Sequence, residues 1–252
     1  MSTTAGIPVL GPETPALSES QRLVDTFIAP TKTFTDLKRN SSWWVPWVIT
    51  AVFSYIFVAV VANKVGFDQV AENQIKMSPK RAAQIEKLSA EQRARQMDIQ
   101  LKITKGIAYA FPLVNLISLA VVAAILMATF KFGASAEVPF KTSLAIVMYA
   151  SLPLLVRTTL AIVSLLTGAN PEGFTFQNPV GTNIGYYIDP ATSAFLHSFG
   201  SGLDAIMMWT LALTAIGFTC VSKVKRGASF AIVYGWYFLV ILVGAGFAAA
   251  FA

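Results

Sequence analysis

Long stretches without a charged side chain constrain the fold of this chain more than any other feature. Residues 40–63, 106–130 and 227–252 contain no Asp, Glu, Lys or Arg over 24, 25 and 26 positions. About 20 such residues cross a bilayer as an α-helix. Two further stretches, 142–171 and 190–222, are each interrupted by a single charge. This pattern predicts an integral membrane protein.

The stretches predict an all-α fold, a polytopic transmembrane helical bundle with five spans. Charged residues make up only 13% of the chain, against about 25% in an average soluble domain, so little chain remains for a separate soluble domain. We expect a disordered tail over residues 1–19, which are rich in Pro, Gly, Ser and Thr. The membrane domain covers 20–252, with predicted spans at 43–62, 106–130, 142–167, 201–221 and 228–250.

The longest polar segment lies between the first two spans, at residues 64–105, with nine basic and five acidic side chains. Ser78 followed by Pro79 is typical of a helix start, and Ser89 with Gln92 matches a capping box. We predict a helical polar insert, either a hairpin or a long helix that continues into the second span. Because its charges are mixed in sign, we expect a solvated helical face, with a site for an acidic ligand as the alternative.

Orientation follows from comparing Lys and Arg between the loops on the two sides of the membrane. With the N-terminus in the cytoplasm, nine basic residues fall on each side, so the raw count does not decide. The rule gives most weight to short loops and to residues near span ends. The basic turn at 223–226 favours the inside, and the loop at 168–203 has no Lys or Arg. We therefore predict a cytoplasmic N-terminus and an outside C-terminus.

Residues 20–39 form an amphipathic segment immediately before the first span. Its apolar residues recur with helical spacing, and Arg22 and Asp25 lie opposite them. The apolar face consists of Leu23, Val24, Phe27 and Ile28. The segment is either an interfacial helix that binds a partner or lipid, or a lead-in that packs on the bundle. The predicted partner and lipid contacts are Phe27, Phe34, Lys38, Arg39, Lys223, Lys225 and Arg226.

Three polar side chains lie within or next to the predicted spans, namely Asn115, Arg157 and Asp204. An unpaired charge there costs on the order of 3 kcal/mol or more, so Arg157 and Asp204 are candidates to pair. Pro112 and Pro153 are expected to break their helices. One interpretation is the polar centre of a small transporter or channel. In the other, Asp204 begins the fourth span and Arg157 ties helices together.

No pattern of an enzyme site is present, and we predict no catalytic residue, cofactor or metal. His197 is the single histidine and Cys220 the single cysteine, which excludes a multi-histidine metal site and an internal disulfide. The net charge of +6 fits the basic loops of a membrane protein. Since no aromatic and basic recognition motif accompanies this charge, we predict no nucleic-acid partner.

The last span carries small residues that permit close helix approach. They are Gly244, Gly246 and Ala248, with Ala231 and Gly235 as a second pair. We expect packing inside the bundle, with self-association as the alternative.

Several motifs resemble those of the Yip1 family. Residues 27–37 read Phe-Ile-Ala-Pro-Thr-Lys-Thr-Phe-Thr-Asp-Leu and are followed by Trp44 and Pro46; this is similar to the stretch before the first span of bacterial members. Tyr149 to Pro153 resembles the Tyr-x-x-Leu-Pro motif of the third span, and residues 203–213 resemble the fourth-span segment. The matching positions are Pro30, Phe34, Tyr149, Pro153, Asp204 and Trp209.

The resemblance implies a five-helix membrane bundle with a cytosolic N-terminus and an outward C-terminus, as the charges also predict. Eukaryotic Yip1 proteins are associated with vesicle trafficking and with Rab-type GTPases and Yip1-like partners. This chain lacks their Asp-Leu-Tyr-Gly-Pro type segment and is more similar to the bacterial branch, which implies the bacterial cytoplasmic membrane. We expect a non-enzymatic scaffold or adapter in membrane organisation or trafficking, with membrane lipids and a cytosolic or membrane protein as partners.

Overall fold

A computed structural model describes residues 15–251, and their regular structure is helical, without a strand. The all-α prediction is confirmed for these residues. Residues 1–14 of the tail predicted at 1–19, and Ala252, lie outside them, whereas Ser18 and Glu19 of that tail cap and begin α1. Short 3₁₀ turns occupy Pro171–Gly173 and Ile184–Tyr187. The α-helices are α1 Glu19–Ile28, α2 Pro30–Asp36, α3 Trp44–Lys64, α4 Phe67–Lys76, α5 Pro79–Glu86, α6 Ala90–Ala134, α7 Phe140–Ala150, α8 Pro153–Leu166, α9 Ala194–Gly202, α10 Ala205–Val221 and α11 Arg226–Phe251.

The described residues include four helical segments that are long and apolar enough to cross a membrane, Trp44–Lys64, Ala90–Ala134, Phe140–Leu166 and Arg226–Ala250. Their outer faces carry exposed apolar side chains, such as Ile56, Val122 and Val240. Such a belt is unfavourable in water and fits acyl chains. Helix α10 has 17 residues and is about 25 Å long, short of a hydrocarbon core of about 30 Å. A multi-pass architecture is therefore confirmed, and the count of five spans stays a prediction.

The third predicted span is two helices with a break at the Leu-Pro step. Helix α7 ends at Ala150, and Pro153 stands in the first turn of α8. Proline is tolerated at that position because the amide it lacks has no partner in the helix. The predicted break at Pro153 is confirmed. The break predicted at Pro112 is wrong, because α6 continues through that buried residue, and a long packed helix tolerates the loss of one hydrogen bond.

The fourth predicted span, 201–221, is also divided. Helix α9 ends at Gly202, and α10 begins only at Ala205. Asp204 caps α10, since its Oδ1 accepts a hydrogen bond from the backbone N–H of Met207 at 2.9 Å. The helix therefore starts four residues later than predicted, because the cap fixes its first turn.

The polar residues 64–105 lie mainly in α4, α5 and the first turns of α6. Ser89 and Gln92 form the predicted capping box at the start of α6, and this helix runs without interruption into the second span. Helix α4 is fixed to the loop after α8 by Asn73, whose Nδ2 donates to the carbonyl oxygens of Pro171 and Phe174 at 2.8 and 2.9 Å. Part of this segment is thus packed on one end of the bundle.

Helix α7 is the centre of the core, with every residue from 142 to 150 buried. Helices α6 and α10 pack against it, and α2 packs on α10 beside it. Gly217 of α10 makes this packing possible. A Cβ atom there would lie 2.4 Å from Cγ2 of Ile146 and 3.1 Å from Cδ1 of Phe34, so α2 and α7 both meet α10 at a position without a side chain.

Three glycines of α11 do not provide close helix packing inside the described chain. Gly235, Gly244 and Gly246 each have open space where a Cβ atom would be, among residues 15–251. The expectation that these glycines bring α11 close to a neighbouring helix is therefore wrong. Tyrosines fix the helix instead: Tyr234 and Tyr237 donate hydrogen bonds to the carbonyl oxygens of Met208 and Gly202, each at 2.8 Å.

Replacing Gly217 with Ala should destabilise the protein by about 1–3 kcal/mol, because the added methyl group overpacks the contact with Ile146. The measurement is thermal unfolding of the purified protein in detergent. Gly244→Ala is the matched control, since its Cβ meets open space and alanine favours a helix. Equal destabilisation by the two variants would contradict the packing described for Gly217.

Candidate functional site

Helix α1 packs on the protein through its polar face and presents its apolar face outward. Arg22 and Thr26 are 1% and 0% exposed, whereas Val24 and Ile28 are 57% and 75% exposed. Phe27 is also partly exposed. A helix on the surface of a soluble protein buries its apolar face instead. The sequence left two interpretations of this segment, a lead-in packed on the bundle and an interfacial helix with an outward apolar face. Helix α1 has both properties.

A buried ionic network holds α1 in this orientation. The Nε and Nη2 atoms of Arg22 lie 2.8 and 2.7 Å from Oδ2 of Asp36 at the end of α2. Its Nη1 lies 3.2 Å from Oε1 of Glu19. The other oxygen of Glu19 accepts a hydrogen bond from the hydroxyl group of Tyr149 in α7. Three helices are therefore joined through one guanidinium group.

The network compensates the cost of burying Arg22. The carbonyl oxygen of Arg22 accepts hydrogen bonds from Thr26 and Thr33 at 2.7 and 3.0 Å. Burial works to lower the pKa of the Arg22 guanidinium, but the hydrogen bond and charge of Asp36 outweigh it and raise that pKa. The guanidinium stays charged, and its buried charge requires the carboxylate of Asp36.

Phe34, predicted to contact a partner or lipid, is fully buried against α7 and α10. That prediction is wrong for Phe34, because the turn between α1 and α2 directs its ring into the core. Phe27 remains at the surface, and its ring meets the edge of Trp209 with 5.7 Å between centroids. Phe34 lies at Gly217, eight residues after Trp209 in α10, about 12 Å along its axis. The α1–α2 hairpin therefore extends along α10.

The predicted basic residues of two distant segments converge on one end of the bundle. All five are exposed, and the charges of Lys38 and Arg226 both act on the thiol of Cys220. The Arg226 guanidinium also lies over the ring of Phe230, 5.6 Å from its centroid. This basic face consists of Lys38, Arg39, Lys223, Lys225 and Arg226.

Arg157 and Asp204 approach each other, as the sequence suggested, with 3.9 Å between Nη1 and Oδ2. Besides capping α10, Asp204 binds the loop between α8 and α9, because its Oδ2 accepts a hydrogen bond from the hydroxyl group of Thr182. Asn115 does not join this pair. It is half-buried on α6, and among the described residues its side chain has no hydrogen bond.

The described residues hold no group of three or more His, Cys, Asp or Glu positioned to bind a metal ion. The Nδ1 atom of His197 lies 2.7 Å from the carbonyl oxygen of Ile188, so the ring supports the loop before α9.

Glu19, Arg22 and Asp36 are the site residues that the sequence analysis missed. Asp36 stands inside the family-like stretch at 27–37, and Tyr149 belongs to the Tyr-x-x-Leu-Pro motif, so both motifs contributed a residue to the network. The motifs therefore indicated two residues of the network, but the spacing of Arg22 and Asp36 in the sequence does not indicate that these two form an ion pair.

The apolar outer belt, the long helices and the inward-facing ionic network define a multi-pass helical membrane protein. The Yip1 domain matches residues 24–248, nearly the whole chain. The chain therefore belongs to the Yip1 family, and the resemblance of its motifs is confirmed. No curated protein and no solved structure matches the chain significantly.

Replacing Asp36 with Leu should destabilise the protein by about 3–5 kcal/mol, because Arg22 then has a buried charge without its main partner. The double variant Arg22→Met, Asp36→Leu should recover most of this loss, since no uncompensated charge remains. Thermal unfolding in detergent measures both effects.

Asp98→Leu is the control for this prediction, because it breaks an exposed ion pair with Lys102 that contributes about 0–1 kcal/mol. A double variant as unstable as Asp36→Leu alone would show that charge compensation is not what the network provides.

Proposed function

We propose that the protein is a non-enzymatic scaffold or adapter in membrane organisation or trafficking. The observation that carries this proposal is the arrangement of the N-terminal hairpin, which faces the bundle with its ionic side and exposes Val24, Phe27 and Ile28. A membrane protein with this surface and a basic face at the same hairpin is suited to hold a partner at the bilayer surface.

The apolar face of α1 is proposed to lie in the acyl chains next to α10. The contact of Phe27 with Trp209 makes this face continuous with the surface of an apolar helix. Covering the exposed parts of Val24, Phe27 and Ile28 with lipid stabilises this position by on the order of 3 kcal/mol. The polar side of α1 packs inward against Asp36 and Tyr149. The apolar side is therefore the side of α1 that remains for lipid.

The basic face is proposed to contact an acidic segment of a cytosolic or membrane protein. Its five cations lie at the ends of α2 and α10 and at the start of α11. Positive charge near span ends favours the cytoplasmic side, so the N-terminus is proposed to be cytoplasmic and the C-terminus outside. The proposed membrane is the bacterial cytoplasmic membrane.

Five spans are proposed, with α10 as the short fourth span. Its 17 residues are a few ångströms short of the hydrocarbon core, a mismatch that local thinning of the bilayer accommodates at modest cost. An odd number of spans agrees with termini on opposite sides.

A small transporter or channel is the second candidate, and the proximity of Arg157 to Asp204 favours it. Asp204 is only 2% exposed and each of its oxygens already accepts a hydrogen bond, which supports a structural role for the acid. Arg157→Ala should lower flux in reconstituted vesicles if this candidate holds, and unchanged flux would remove Arg157 from any transport pathway.

Photo-crosslinking in native membranes tests the adapter proposal. A probe at Lys225 should capture one recurrent protein, identified by mass spectrometry, with an acidic surface segment at the crosslink. Combining that probe with Lys223→Glu and Arg226→Glu should reduce capture at least tenfold, because like charges then meet. A probe at Ile28 should capture lipid.

The control for charge reversal is Lys87→Glu with Lys102→Glu, two cations of the polar segment outside the basic face. Capture of only lipid or of the protein's own helices at Lys225, or equal loss of capture in the control, would contradict the adapter proposal.

A further inference from the structure

A cavity of about 240 Å³ lies between α3, α4, α6, α8 and the loop that follows α8. It sits at the level where α6 changes character, since Lys102 and Lys105 precede the charge-free stretch that begins at Gly106. This transition marks the boundary between headgroups and acyl chains for a helix that enters a bilayer. The cavity therefore opens at the depth of lipid headgroups.

Two polar groups of the cavity wall, the amide of Gln74 and the guanidinium of Arg157, have hydrogen-bond donors without a protein partner among the described residues. The Oε1 atom of Gln74 accepts hydrogen bonds from Gln100 and Thr104 at 2.9 and 3.1 Å. Among residues 15–251, the Nε2 donors of Gln74 have no hydrogen-bond partner. The guanidinium of Arg157 likewise makes no hydrogen bond there and has only its 3.9 Å approach to Asp204.

The charge of the wall is positive. Arg157 is a lining residue, and no Asp or Glu belongs to the lining that the structure describes. Asp204 lies outside this lining and offsets part of the charge, but its 3.9 Å distance from Nη1 of Arg157 leaves the guanidinium donors available for hydrogen bonds. Arg81 stands behind the wall and donates a hydrogen bond to Oε1 of Gln100 at 2.8 Å. An oxyanion is the group that such donors bind best.

The remaining wall is apolar and continues onto the outer surface of α6. Ile107 and Phe111 line the cavity and are 58% and 42% exposed, one turn apart on α6. The cavity is smaller than the pockets of about 300–1,000 Å³ that enclose a whole small ligand. Its ligand must therefore extend beyond it, along this apolar strip.

We propose that the cavity binds a membrane phospholipid, whose phosphate accepts hydrogen bonds from Arg157 and Gln74 and whose acyl chain follows Ile107 and Phe111. An acidic lipid such as phosphatidylglycerol fits the positive wall. This site is at the opposite end of the bundle from the basic face and does not depend on the adapter proposal.

Native mass spectrometry of the purified full-length protein in detergent tests the site, with titration of phosphatidylglycerol, neutral monoolein and oleate. Arg157→Gln should weaken phosphatidylglycerol binding about ten- to a hundredfold, the range for hydrogen bonds to a charged group. Lys102→Gln is the matched control, because Lys102 precedes the lining residue Ile103 but is itself exposed and does not line the cavity. The Lys102→Gln variant should bind phosphatidylglycerol as tightly as the unchanged protein does.

Gln177→Glu is the second variant, since Gln177 is an exposed loop residue in the lining whose substitution leaves the helices intact. It should also weaken phosphatidylglycerol binding, through repulsion of the phosphate, without changing monoolein binding. Equal weakening by Lys102→Gln, or monoolein binding as tight as that of phosphatidylglycerol, would overturn the proposal. Tighter retention of oleate would overturn the assignment to a phospholipid.

Discussion

The buried ion pair between Arg22 and Asp36 is the constraint on which the N-terminal part of the structure depends. A guanidinium that is 1% exposed is stable only with a carboxylate beside it, and the energetic penalty for removing either partner is large. The pair sets the rotation of α1 about its axis. Once Arg22 faces Asp36, Val24 and Ile28 have to face outward, because positions two and six residues after Arg22 lie on the other side of a helix, whereas Thr26, four residues after it, lies on the same side.

The same pair connects the hairpin to the core. Asp36 ends α2, and two residues earlier Phe34 enters the space left by Gly217 between α7 and α10. Glu19 joins the pair to Tyr149, at the C-terminal end of the most buried helix. The hairpin is therefore an integral part of the bundle. The outward apolar side of α1 and the basic face are therefore held in a fixed relation to the long helices.

The two ends of the bundle are held by different contacts. The end with α1, α2 and the turn before α11 has the buried ion pair of Arg22 with Asp36. At the other end, α4, the loop after α8 and α9 are fixed by neutral groups, including the amide of Asn73 and the ring of His197. The phospholipid site proposed at Arg157 belongs to this second end. Arg157 is the cation in the described lining of the cavity, so an oxyanion there has one principal partner.

Local signals predicted much of the fold, and tertiary contacts explain the rest. Charge-free length indicated the long helices, and the capping box at Ser89 is a contact between neighbouring residues, which a sequence displays directly. Pro153 broke its helix but Pro112 did not, because the outcome depends on the packing around each proline. The burial of Phe34 was not predictable, since α1 and α2 present apolar side chains on more than one side and only Gly217, far along the chain, selects the inner one.

The pairing of Arg22 with Asp36 was missed for a related reason. Both looked like ordinary surface charges in an amphipathic segment, and amphipathic periodicity identifies two faces without stating which of them packs on the protein. The polar face of α1 packs inward because it is complementary to Asp36 of α2 and Tyr149 of α7. Which face packs inward therefore depends on the positions of both of these helices.

Measuring the depth of α1 in the bilayer shows directly whether its apolar face lies among the acyl chains. Spin labels at Val24 and Ile28, and at Lys38 as a reference, would be introduced in a Cys220→Ser background and studied by electron paramagnetic resonance in reconstituted vesicles. If the apolar face of α1 lies among the acyl chains, the labels at Val24 and Ile28 collide with oxygen and are protected from a water-soluble nickel chelate, whereas the label at Lys38 is accessible to the chelate. This is the result we expect. Free access of the chelate to Ile28 would contradict it.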